Sequence, residues 1–138
     1  MNDELLERIC YHEAGHTCAA LLYAIPIRRV SVDPPLFLRA KAAVRPPLDQ
    51  LLTLCFCGGS AEALYFGGQC GSSEDYAMAQ RFASRRGHFL LSARALERAE
   101  RAAFGLVRTD WGKRTIPRIA DALCERGVLS GDDVCALF

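Results

Sequence analysis

The stretch Asp3-Glu4-Leu5-Leu6-Glu7-Arg8-Ile9-Cys10-Tyr11-His12-Glu13-Ala14-Gly15-His16 decides how the rest of the chain is read. Asn2 or Asp3 can cap it, acids fill its first turn, and Pro26 stops the pattern, which predicts a helix over 3–24. Leu5, Ile9, His12, His16, Ala20 and Tyr23 fall on one stripe at helical spacing. His12 and His16 then stand one turn apart and can reach a single metal ion. Glu13 is turned about 100° from His12 around the axis, out of the coordination shell. It can still serve as a general base toward a water at the ion. Two imidazoles on an apolar stripe cost desolvation, and a cation offsets that cost.

Outward from this helix the period changes. Val30 and Val32 alternate with Arg29 and Ser31, and Leu38, Ala40, Ala42 and Val44 alternate with Arg39, Lys41, Ala43 and Arg45. Asp33-Pro34-Pro35 separates the two runs, so residues 27–45 predict a small hairpin or edge ribbon whose polar face is basic. Helical spacing returns from Leu48 to about Phe66. Gly58 and Gly59 lie inside that run, where each costs about 1 kcal/mol relative to alanine, and such glycines permit close helix approach. Gly67 to Gly71 reads as a flexible connection, and further helices follow near 73–86, 89–107, 113–126 and 131–137. Gly87 and Gly127 suit helix ends and Ser130 suits a cap. The expected fold is a single, mainly α domain over 1–138 with one short β-hairpin or edge strand.

Composition narrows the function classes. The chain has 138 residues, 51% apolar and 24% charged, enough for one domain with a proper core. The net charge of +1 argues against a nucleic-acid or membrane partner, although residues 1–80 carry net −3 and residues 81–138 net +4. The longest apolar run, Cys18 to Ile27, is about ten residues, too short for a bilayer. The acidic N-terminus reads as a helix start and not as a signal peptide, so a cytoplasmic location is expected. The seven cysteines then read as reduced thiols serving as small core residues. Cys55-Phe56-Cys57 is a weak soft-metal pattern without a second pair, and His88 reads as an ordinary boundary histidine.

Several segments together resemble the peptidase domain of the FtsH-type ATP-dependent zinc metalloproteases. Tyr11 to His16 is similar to that family's Y-H-E-A-G-H helix, and Arg29-Val30-Ser31-Val32 to its following strand. Gly58 to Gly67 is similar to its glycine-rich helix ending in A-E-x-x-x-F-G, and Gly71-Ser72-Ser73-Glu74-Asp75 to its G-A-x-x-D element. The segments Arg118 to Leu123 and Leu129 to Val134 resemble the end of the same domain. The likeness runs over nearly the whole chain.

The resemblance implies that His12, His16 and Asp75 bind one Zn2+ per chain and that Glu13 activates the attacking water. The fourth zinc position would stay open, as in catalytic sites. Glu62 is a candidate for orienting a ligand histidine, as outer carboxylates do, with plain helix packing as the alternative. By residues alone, Ser72-x-x-Asp75 also has capping-box spacing, and the cap is then the simpler reading of Asp75. Val30, Ser31 and Val32, continuing to Asp33, are the expected edge for capturing a substrate by strand addition.

The implied activity is a zinc endopeptidase acting on peptides or unfolded protein. The family's peptidase domains form hexameric rings, which opens a homo-oligomer and a separate unfoldase as partners. No G-x-x-x-x-G-K-[ST] occurs, so cleavage by this chain is expected to be ATP-independent. The alternative is a metal-bearing interaction module with little proteolysis. A peptide deformylase would place a cysteine ligand far upstream of the histidine pair, which this sequence lacks.

Overall fold

The computed structural model of the protein describes residues 1–68, 73–88 and 90–138. Helix α1 (Asp3–Leu22) starts where the Leu5 N–H donates to Asn2 Oδ1 at 2.8 Å. Helix α2 (Leu48–Phe66) is buried at every position from Leu51 to Ala61, so it occupies the centre of the fold and not its surface. The first helix packs against α2 closely because Gly15 has no side chain. A Cβ there would lie 2.8 Å from the Cys57 carbonyl carbon and 2.9 Å from Ala61 Cβ.

Helices α3 (Ser73–Arg85) and α4 (Ala93–Val107) also pack on α2. The fourth helix does so through Ala99, Ala103, Leu106 and Val107, one stripe at helical spacing. Helix α5 (Asp110–Arg126) lies on α1 and contributes Ile116, Ile119 and Leu123 to the core. Gly127 closes it in the left-handed conformation at φ 78°. The short α6 (Gly131–Cys135) begins at a capping box in which Ser130 and Asp133 each accept the other's backbone N–H.

A small sheet covers one flank of α1. Strand β1 (Ile27–Val32) pairs antiparallel with β2 (Pro35–Arg39) and with β3 (Val128–Ser130), in the order β2-β1-β3. Val30 is opposite Phe37 on one side and Leu129 on the other. The molecule is thus mainly helical with one small antiparallel sheet, as the periodicities predict. Among the described residues, no helix is long and apolar enough to cross a membrane.

Three expectations are corrected. Val30, Ser31 and Val32 do not form an edge: β1 is the central strand, both its sides are paired, and these three residues are buried. The missed partner, β3, has three residues, too few to display an alternation, and its Ser130 doubles as the α6 cap. The ribbon does not extend to residue 45 either, because Arg39 already pairs with Ile27, the first residue of β1. Finally, Cys10, Cys18, Cys55 and Cys57 are buried but Cys124 and Cys135 are exposed. Cys70, the 69–71 part of the expected connection, Ser72 of the capping-box spacing, and Phe89 of the expected fourth helix lie outside the described residues.

Candidate metal centre

The helix α1 carries His12 and His16 on the face turned toward α2, with ring centroids 4.9 Å apart. Each ring is held by its far nitrogen. His16 Nδ1 lies 2.8 Å from the Leu54 carbonyl oxygen, which can only accept, so Nδ1 carries the hydrogen. His12 Nδ1 lies 3.2 Å from Glu62 Oε1, and the same logic puts a hydrogen there. Both Nε2 atoms therefore face inward, toward the start of α3. Asp75 Oδ1 stands 3.6 Å from His12 Nε2 and 3.7 Å from His16 Nε2. These three residues offer ligand atoms that all lie within 4.8 Å of one another.

Gly58 makes room for this arrangement. A Cβ on it would stand 2.7 Å from His12 Nε2 and still closer to His16 Nε2. The glycine pair inside α2 thus serves an approach of side chains as well as of helices. The sequence carried that signal in an otherwise unfavourable residue choice, but not its target. Sequence reading missed the Leu54 carbonyl altogether, since a main-chain acceptor has no residue signature. It also missed Phe37 on β2, whose ring centroid is 6.1 Å from that of His16.

The centre opens into a cleft of about 360 Å3 lined by His12, Glu13, His16, Asp75, residues 35–38 of β2 and the α3 face that includes Met78 and Arg81. Glu13 is buried on its wall, and its Oε2 has no hydrogen-bond partner among the described residues. Burial raises the Glu13 carboxyl to about 7; the charge of His12 opposes this, while Asp75 and Glu74 add to it. Burial also disfavours charge on His12, but hydrogen bonds with Asp75 and Glu62 outweigh it and raise the ring to about 10. His16 is pushed down to about 4 by burial and by the neighbouring His12. The hydrogen bond from His12 in turn lowers the Glu62 carboxyl. One positive charge is therefore wanted between the carboxylates, and without a metal His12 supplies it. A divalent cation bound by both Nε2 atoms would displace that proton.

The arrangement fits a metal on three counts: two convergent Nε2 positions, a carboxylate opposite them, and a second carboxylate oxygen left unanswered beside them among the described residues. Cys55 and Cys57 take no part. They are fully buried in α2, and burial pushes both thiols well up, away from the thiolate a soft metal needs. His88 is exposed and is not among the residues that line the cleft. No model of a known protein family matches the chain, and no curated protein matches it.

Proposed function

We propose that the chain is a zinc-dependent endopeptidase that hydrolyses peptide bonds in flexible or unfolded chains, without ATP, as the resemblance to FtsH-type peptidase domains implies. The observation that carries this reading is the pairing of convergent ligand atoms with an unanswered base. His12, His16 and Asp75 offer three donors within 4.8 Å, and Glu13 presents a buried, unpartnered Oε2 on the same cleft wall. His12, His16 and Asp75 would hold the zinc, which when bound polarises a carbonyl and acidifies water. Glu13 takes the proton of the attacking water and passes it to the leaving amine. A carboxyl raised to about 7 is well matched to both transfers near neutral pH. Glu62 and the Leu54 carbonyl keep the two rings in the tautomer that presents Nε2.

Strand β2 takes the role first assigned to β1. It lines the cleft, and its outer edge pairs with no strand among the described residues. An extended substrate adding there would run past Phe37 and the two histidines. Only a backbone free of its own structure can pair in this way, so a folded substrate must first open, spontaneously or through an unfoldase acting in trans. A cytoplasmic location and a homo-oligomeric state belong to the same reading.

Protein purified without chelators is expected to hold about one zinc per chain. Glu13→Gln is expected to keep the zinc and the fold while peptide hydrolysis falls about 10²–10⁴-fold. Equal rates for the two proteins would remove Glu13 from its role. Zinc binding with no hydrolysis by either would favour a metal-bearing interaction module.

A further inference from the structure

The cleft does not end at the metal centre. Its walls, β2 and α3, continue into a groove of about 610 Å3, and the two spaces share Phe37, Leu38, Met78 and Arg81. Around this groove stand Arg28, Arg39, Lys41, Arg81 and Arg85. An adjoining hollow of about 260 Å3 adds Arg45 and Arg86. Neither space is lined by an acidic residue. Among the described residues, the arginines that form ion pairs are elsewhere, in Arg101–Glu97 and Arg126–Asp133.

The cations surround an apolar floor of Phe37, Leu54, Met78 and Phe82. Arg39 is half-buried, with its guanidinium carbon 4.9 Å from the centroid of the Phe82 ring. Its pKa is lowered by burial and by repulsion from Arg85 and Arg86, which marks how near these charges are. Like charges gathered over a low-dielectric floor focus a positive potential that an anionic partner relieves.

We propose that this groove is the specificity subsite of the cleft and takes acidic side chains of an extended peptide, about two to four residues from the bond at the metal centre. The inference rests on the peptidase reading above. Phe37 stands by His16, Arg39 follows two positions on as the last residue of β2, and Lys41 lies two positions past the end of the strand. A strand added to β2 advances with it residue for residue, at about 3.3 Å each, so a substrate residue two positions on lies beside Arg39, and the chain continuing past the strand's end enters the groove that Lys41 lines. From α3, Met78, Arg81, Phe82 and Arg85 share one helical face and present a wall of alternating apolar and basic character. That wall suits acids interspersed with apolar residues. Nucleic acid is the lesser fit, because the Phe82 ring that would stack a base is already covered by Arg39.

The test uses the full chain carrying Glu13→Gln, loaded with zinc, in fluorescence-anisotropy titrations. The probes are a peptide with Asp and Glu at the stated offsets, its Asn and Gln counterpart, and a single-stranded oligonucleotide of the same charge. The acidic peptide is expected to bind about tenfold tighter than its amide counterpart at low salt, with the gap closing as salt screens the groove. Adding Lys41→Gln and Arg85→Gln, both at exposed positions, should narrow the gap. Equal affinity for the two peptides would overturn the proposal, as would tighter binding of the oligonucleotide. The amide control and the salt series need no groove variant, so the result stands even if a variant misfolds. Parallel cleavage assays on the unsubstituted protein separate the two readings. Cleavage without any acidic preference sinks the subsite and keeps the peptidase; acid-selective binding without cleavage sinks the peptidase and keeps the groove.

Discussion

At the end of the cleft that holds the candidate metal centre, His16 and Asp75 are almost wholly buried, and the outward nitrogen of each histidine has its own acceptor. At the basic end, Lys41 and Arg85 are exposed, and no acid is among the described residues that line their groove. Strand β2 and helix α3 line both ends, so the contrast comes from burial and not from the supporting elements. Buried polar groups must be answered, and the answers lock each ring in one orientation. Exposed cations on long stems keep their rotamer freedom and act through their summed field. One pair of elements therefore offers a fixed centre and an adaptable surface.

That contrast can be broken at its strongest point with Asp75→Ala. Losing an outer partner of a metal ligand costs about 10–100-fold in affinity, and losing a ligand should cost more, so zinc affinity is expected to fall by about a hundredfold or more. Competition against a zinc-chelating dye reads this directly. If affinity holds while the metal-free melting temperature drops, Asp75 is a helix cap worth about 0.5–2 kcal/mol and the third ligand lies elsewhere.

Gly58→Ala tests the packing of the fixed end without touching a ligand. Its methyl would press on both Nε2 atoms, and α2 cannot retreat while Cys57 and Ala61 lie against Gly15. Overpacking of this kind costs about 1–3 kcal/mol, to be read from denaturant unfolding of the metal-free protein, together with weaker zinc binding. Gly105→Ala is the matched control. It lies in α4 with nothing within 4 Å of the added Cβ, and should stabilise by about 0.5–1 kcal/mol. A destabilised Gly105→Ala would mean that the cost at Gly58 is not specific to the histidines.

A smaller effect is expected from Glu62→Gln. Glutamine keeps an acceptor oxygen for His12 but removes the charge, so zinc affinity should fall by about tenfold, the lower end of the outer-partner range. An unchanged affinity would reduce Glu62 to a packing residue of α2. The least change is expected at the other end of the cleft. Arg85→Gln removes one of several like charges, so the thermal melt should stay within about 0.5 kcal/mol of the unsubstituted protein or rise slightly. A clear loss of stability there would show that the basic end is also structurally answered, and the contrast would fail.

Much of the fold was legible from local pattern. Asn2 and Ser130 cap the helices they were expected to cap, and Gly127 ends α5. The calculated spacing of His12 and His16 survives in the folded chain because α1 is regular through both. What escaped was non-local. The run Val128-Leu129-Ser130 becomes a strand only because β1 lies beside it, and that pairing turns the expected edge into the sheet's centre. The alternation continuing to Val44 yields no strand, because β1 ends before it can be paired.

By itself, then, the sequence determined the mainly helical fold, the caps at Asn2 and Ser130, the helix end at Gly127, the one-turn separation of two histidines and a carboxylate next to the first of them. All of these are settled within a turn or two of chain, by hydrogen bonds and side-chain periodicity. Only the tertiary structure decided that His16 finds the Leu54 carbonyl 38 residues away and His12 finds Glu62 50 residues away. It also decided that Gly58 opens the space between the rings, that β2 and not β1 is the free edge at the cleft, and that Arg39 meets Arg85 and Arg86. These follow from how helices and strands bury their apolar faces together, and that choice is made by the whole core at once.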